Sequence, residues 1–217
     1  ETYKNIISIN KEYIIKNNKI NLKIFKKLIN ELAINEEKYG IEEMKIRNKM
    51  EKKIKQTVKE EDKQLLLPIL DRKVEKYINI GSEGWQYRYY KELFDIEIND
   101  ERRKQICINY LEGLEWTFKY YTDECYDWRW KYNYEYPPLL EDLNKYIPYF
   151  ESEFIENKNK NNINELTQLS YVLPRNSLKL LPDNLFKYLI TIHEEWYRLD
   201  YKVKWSFCKY FWECHIE

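Results

Sequence analysis

Between residues 107 and 121 the apolar side chains recur at Cys107, Leu111, Leu114, Phe118 and Tyr121. All five fall within about 40° of one line when each residue turns the chain by roughly 100°. That spacing predicts an amphipathic helix with a stripe facing a core. Trp116 points almost directly away from the stripe, with Gly113 one turn before it and Tyr120 one turn after. A large ring opposite the core stripe needs a second partner, either another packed layer or a flat ligand. Helical pattern alone leaves both open, and the packed layer is the commoner case. The pattern ends at Pro137 and Pro138, after WRWKYNYEY. Within that string Tyr132, Tyr134 and Tyr136 alternate, as an extended segment with one buried face would.

The remaining patterns divide the chain. Residues 1–35 read as N-terminal helices, with Asn21 placed to cap one whose Leu22, Phe25, Leu28, Ile29 and Leu32 form a stripe. Residues 36–63 mix both charges densely and predict a solvated helix, or an insert, carrying Glu-to-Lys pairs. The interleaved acids argue against a nucleic-acid arm there. Residues 64–156 form an aromatic region in which Pro68 ends or kinks a helix and Gly81 and Gly84 punctuate the chain. Trp85, Tyr89 and Phe94 then interleave with Arg88 and Lys91, which is one footprint of single-strand binding. Residues 157–164, NKNKNNIN, predict a loop. Residues 165–217 hold two apolar segments separated by Pro174 and Pro182, with Asp183 or Asn184 as a cap. Alternation of Val203, Trp205 and Phe207 predicts a short C-terminal strand.

Composition narrows the function. The 217 residues are enough to bury a sizeable core. A start at Glu1 and an end inside an apolar run read as a piece of a longer protein. Lys+Arg and Asp+Glu are both 37, so no overall field draws the chain to nucleic acid or membrane, and any polyanion site must be local. No apolar run reaches the roughly 18 residues that would suggest a spanning helix, so a membrane is not an expected partner. Only 4 glycines are present, and no phosphate-binding glycine loop appears. Cys107, Cys125, Cys208 and Cys214 are scattered without the paired spacing of a zinc site, which predicts free thiols in a reducing compartment. The cytoplasm is expected, with the nucleus as the alternative. Glu112, Glu115, Asp123, Glu124 and Asp127 lack the spacing of a metal cluster.

Several ordered strings carry a family resemblance. NYLEGLEWTFKYY followed by WRWKYNYEYPPLLED resembles the second conserved region of the Xrn family of 5′→3′ exoribonucleases, through Tyr110, Gly113, Leu114, Trp116, Tyr120 and Tyr121, then Trp128, Trp130, Tyr132, Tyr134, Tyr136, Pro138 and Asp142. QLSYVLPRNSLKLLP is similar to a later element of that family through Gln168, Leu169, Val172, Leu173, Pro174, Ser177, Leu180, Leu181 and Pro182. Trp212 and Glu213 fit the family's Trp-Glu pair, and Gly84, Tyr89, Tyr90, Lys91 and Phe94 fit a looser upstream element. Glu135 stands where the family has His, and Lys131, Asn133 and Glu165 also depart from its pattern.

The resemblance implies a mainly α, irregular multi-helical domain that covers an α/β nuclease core supplied by other sequence. It implies processive hydrolysis of single-stranded RNA from a 5′-monophosphate end, with Mg²⁺ bound outside this segment by acids of the N-terminal nuclease domain. In that setting Trp116, with Gly113 and Tyr120 around it, would offer a base-stacking surface, and Trp128, Arg88 and Arg129 would be further substrate-binding candidates. No catalytic or metal-binding residue is expected in this chain itself, which alone would not hydrolyse RNA. The rival reading is a non-catalytic helical scaffold or RNA-holding relative, to which Glu135 in place of a His lends weight.

Overall fold

The computed structural model describes residues 1–155, 159, 161–197, 204–206 and 208–209. Among these the architecture is helical, with one two-stranded sheet. α1 (Thr2–Asn10) leads into β1 (Ile15–Lys16) and β2 (Lys19–Ile20), an antiparallel hairpin pairing Ile15 with Ile20. The hairpin departs from the all-helical expectation for residues 1–35. Its turn residues Asn17 and Asn18 have φ of 52° and 55°, the left-handed geometry a two-residue hairpin loop demands and asparagine tolerates.

α2 (Leu22–Ile34) starts at the expected cap, where Asn21 Oδ1 accepts the Ile24 N–H at 3.3 Å. Its stripe packs with α7 (Asp100–Thr122) and α8 (Leu140–Tyr146) around Leu22, Ile29, Cys107, Leu111, Leu143 and Ile147. α7 begins well before the predicted stretch because Asn99 caps it, accepting Arg102 N–H at 2.9 Å. The stripe holds at Cys107 and Leu111 and loosens along the helix, until Tyr121 is 80% exposed.

α3 (Glu36–Thr57) is the expected charged helix, but it is not simply solvated. Arg47, Glu51 and Ile54 are buried, and Ile54 forms a small cluster with Leu66 and Ile69. A 3₁₀ stretch over Glu60–Leu66 passes into α4 (Leu67–Leu70), where Pro68 sits in the first turn and needs no N–H. α5 (Lys73–Ile78) and α6 (Trp85–Phe94) follow, joined by Gly81 and Gly84 at φ of 87° and 73°. α6 gives the largest cluster its rings: Trp85, Tyr89, Tyr90 and Leu93 pack with Ile78, Ile106, Leu139 and Trp205. Those rings are therefore core, not an open stacking surface.

Beyond residue 155, α9 (Glu165–Val172), a 3₁₀ turn over Arg175–Leu180 and α10 (Asp183–Ile192) gather around Leu178, Leu181 and Leu189. The described residues of the predicted 157–164 loop form neither helix nor strand. Of the predicted C-terminal strand, Val203 and Phe207 lie outside the described residues, as do Trp212 and Glu213.

Candidate functional site

The site is built where residues 126–139 fold back along α7. Asp127 makes the turn: its Oδ1 accepts the Arg129 N–H at 2.8 Å, and its carbonyl accepts Trp116 Nε1–H at 2.8 Å. This turn aims Trp130 at the missing side chain of Gly113. A Cβ there would stand 2.5 Å from Trp130 Cη2, so the notch fits only a glycine. Trp116 then stacks on Trp130, with centroids 5.5 Å and planes 21° apart, and on Tyr120 at 5.2 Å and 12°. Trp130 lies over the turn before Trp116 and Tyr120 on the turn after it, so the three rings form a ladder along α7. The indole of Trp116 is its middle rung, half-buried and hydrogen-bonded. The outer rung is Tyr120, 43% exposed, with Tyr121 edge-on to it at 5.3 Å. At the other end Trp130 Nε1 is buried and has no hydrogen-bond partner among the described residues.

The extended segment is fixed by its tyrosines. Half-buried Tyr132, Tyr134 and Tyr136 alternate with exposed Lys131, Asn133 and Glu135, as the sequence pattern requires. Tyr132 donates to the Tyr136 carbonyl at 2.8 Å, Tyr89 donates to the Pro137 carbonyl at 2.9 Å, and Tyr90 donates to Asp142 Oδ2 at 2.6 Å. Burial first, then the charge of Asp142, pushes the Tyr90 phenol far above its ordinary range. A phenol in that setting stays a donor at any physiological pH.

Of the other candidates, Trp128 is at the surface, its backbone N–H tied to the Asn159 carbonyl at 3.0 Å. Arg129 is exposed beside it, and its guanidinium meets no carboxylate among the described residues. Arg88 is placed differently. Its guanidinium donates to the carbonyls of Tyr77 and Ile78 at 3.0 Å, to that of Glu83 at 2.8 Å and to the Ser82 hydroxyl. It clamps the end of α5 and the glycine turn. Glu115 was not singled out as a site residue. It is buried, paired with Lys119 Nζ at 2.7 Å, and its other oxygen accepts the N–H groups of Phe154 and Ile155 at 2.5 and 3.2 Å. It therefore ties residues 154–155 against α7; its spacing from Lys119 was visible, its backbone partners were not.

Among the described residues no group of three or more His, Cys, Asp or Glu is placed to hold a metal ion. No described helix is long and apolar enough to cross a membrane.

The family model described as the Xrn1 helical domain matches residues 70–212, more than half of the chain. The chain belongs to this family. The chain is 33% identical over 144 residues to 5'-3' exoribonuclease 2 of Gallus gallus, covering 64% of this chain and 15% of that protein. Against the 5'-3' exoribonuclease 2 homolog of Caenorhabditis elegans it is 31% identical over 140 residues, 63% of this chain and 14% of the other. Against 5'-3' exoribonuclease 1 of Saccharomyces cerevisiae it is 31% identical over 101 residues, 46% of this chain and 6% of that protein. The matched residues 70–212 contain the whole ladder and the tyrosines that hold it, whereas α3 lies before them.

Proposed function

We propose that this chain is the helical domain of a 5′→3′ exoribonuclease that degrades 5′-monophosphorylated RNA processively. It walls the active site and supplies a stacking surface, while the chemistry belongs to a nuclease domain in other sequence. The reading is carried by the ladder of Trp130, Trp116 and Tyr120, whose outer ring is open to solvent. A base extends the stack from Tyr120, and Trp116 fixes the plane of that ring from beneath. Such stacking is worth roughly 1–3 kcal/mol per base and accepts every base, as degradation without sequence preference requires. Trp128 and Arg129, exposed at the same turn, flank the path of the strand. Arg88 is left out of that set in this reading, because its guanidinium donates to the carbonyls of Tyr77, Ile78 and Glu83 and to the Ser82 hydroxyl.

Mg²⁺ belongs to this reading only as a group held elsewhere. The acids described here do not gather into a site for it, and no step is assigned to it. A docking partner has better support. Tyr171 is 91% exposed, and Val172, Leu180, Ile192 and Trp196 are also uncovered around the small C-terminal cluster. Relatives of which the match covers only 15% or less offer ample further chain to cover them. We assign that face to the nuclease domain of the same protein.

The test uses a full-length protein carrying this chain, with 5′-monophosphorylated and 5′-hydroxyl RNA and Mg²⁺. Rapid, processive decay of the first and sparing of the second is expected. Tyr120→Ala should slow decay about tenfold, with Tyr120→Phe retaining it, in line with the stacking contribution of one base. Equal decay by all three proteins would remove the stacking role. No decay of either RNA would favour the second reading, a non-catalytic RNA-holding relative, for which the exposed carboxylate of Glu135 in the tyrosine segment speaks.

A further inference from the structure

α3 (Glu36–Thr57) precedes the family match, and nothing in the nuclease reading uses it. Its charges are sorted along its length. The acids Glu36, Glu37, Glu42 and Glu43 all come early; from residue 44 to the end of the helix the cations are Lys45, Arg47, Lys49, Lys52, Lys53 and Lys55, and Glu51 is the single acid. Glu51 is buried at 6% exposure, as is Arg47 at 3%. Lys55 Nζ meets it at 2.6 Å, Lys76 Nζ at 2.7 Å and Arg72 Nη1 at 3.3 Å. Burial raises its affinity for a proton, but the hydrogen bonds and charges of Lys55 and Lys76 outweigh this and hold the carboxyl below its ordinary range. The second carboxylate of the network, Glu75, is equally occupied, by Arg72 Nε at 2.8 Å and Arg47 Nε at 3.1 Å. Both acids are thus consumed within the fold, and the exposed charges of α3 from residue 44 on are all cationic, the next exposed acids being Glu60, Glu61 and Asp62 beyond its end.

Over Glu51 opens a groove of about 480 Å³ lined by Asn48, Lys49, Glu51, Lys52, Lys55 and Lys76. Lys49 and Lys52 are exposed and meet no carboxylate among the described residues. We propose that this groove binds RNA through its phosphates, a contact made by residues of which none belongs to the aromatic ladder. Lysine suits the task as a point charge without a preferred fork geometry. The lining has no ring to read or stack a base, so the contact carries affinity and position, not sequence. It also has no apolar side chain to enter a bilayer, which favours RNA over a lipid surface. The choice of RNA as the polyanion rests on the nuclease reading; the sorting of charge does not.

The experiment measures fluorescence anisotropy of the 217-residue chain with a labelled 5′-hydroxyl oligouridylate, across about 50 to 200 mM salt. Lys49→Glu with Lys52→Glu should weaken binding about tenfold or more and make the log–log salt dependence shallower by roughly 1 to 2 units, as two lost phosphate contacts require. Lys49→Ala with Lys52→Ala should give the same flattening of slope without introduced repulsion. Unchanged melting temperature in both would place the effect on binding. An unaltered dissociation constant and slope in both variants overturns the groove, as does binding to phosphatidylserine vesicles with none to RNA. Tyr120→Ala in the same assay keeps the two ideas apart. If it weakens binding while the lysine pairs do not, the groove falls and the ladder stands; the reverse keeps the groove.

Discussion

Gly113 lies inside a helix, where alanine is ordinarily favoured by about 1 kcal/mol. Here the added methyl would meet Trp130 Cη2 at 2.5 Å and Cζ2 at 3.0 Å, and a rigid indole stacked on Trp116 has little room to retreat. The steric term exceeds the propensity term, so Gly113→Ala should destabilise the fold by about 1–3 kcal/mol. Urea unfolding followed by tryptophan fluorescence measures this; a variant as stable as the parent would mean that Trp130 is not seated in the notch. The notch and the Trp116–Tyr120 pair were legible in the sequence, because three- and four-residue offsets on a helix are neighbours. The occupant of the notch was not, since Trp130 arrives through a turn set by Asp127 and not by periodicity. Arg88 shows the converse limit of a linear pattern. Rings and cations also interleave where an arginine clamps a helix end beside a core, and the carbonyls of Tyr77 and Ile78 at the end of α5 and of Glu83 in the glycine turn, which take the Arg88 guanidinium, have no signature in the spacing.

Among elements, α3 shows best what a one-dimensional pattern leaves out. Dense alternating charge predicts a solvated face, yet Arg47 and Glu51 are buried because α5 brings Glu75 and the adjoining Arg72 beneath them. Helical period says which residues share a face, not which element will cover it. The energetic consequence is a sharp contrast within one helix pair. Glu75→Ala leaves the buried Arg47 guanidinium without its carboxylate and Arg72 with Glu51 alone, and should cost about 3–5 kcal/mol. Lys55→Ala removes a pair whose lysine is more than half exposed, and should cost less than about 1 kcal/mol. Chemical denaturation of both variants decides it: similar small losses would mean that the network is open to water. α7 gives a calibration, because Asn99→Ala removes the 2.9 Å cap on Arg102 N–H and should cost about 1 kcal/mol. The hairpin ahead of α2 has little sequence signature for a related reason: Asn17–Asn18 signals a two-residue turn only when its flanks read as strands, and each strand is two residues long.

At the scale of the molecule, the α6 cluster and the α2–α7–α8 cluster are joined by buried groups that must stay protonated. The Tyr90 hydroxyl bridges them, donating to Asp142 on α8 and accepting the Leu139 N–H at 3.1 Å. Nearby, burial and the charge of Asp142, opposed by Arg103, push the Cys107 thiol up to about 12. Burial likewise pushes the phenols of Tyr89 and Tyr132 up. The unfolded thiol ionises near 9.0, so above that pH the unfolded chain loses a proton that the native chain keeps. Stability linked to Cys107 is therefore complete below about 9 and is lost as pH climbs through the folded value. The phenols add to the loss from about pH 10 upward. The urea midpoint should accordingly fall steeply between about pH 9 and 11 while the slope of the transition stays constant. Tyr90→Phe separates this from general alkaline repulsion. It leaves Asp142 and Leu139 N–H short of a partner, which should cost about 1–3 kcal/mol at neutral pH, yet it removes one titrating phenol and should flatten the alkaline fall. A variant that loses stability at neutral pH and falls as steeply as the parent would leave the Tyr90 bridge intact as a structural tie but remove it from the alkaline transition.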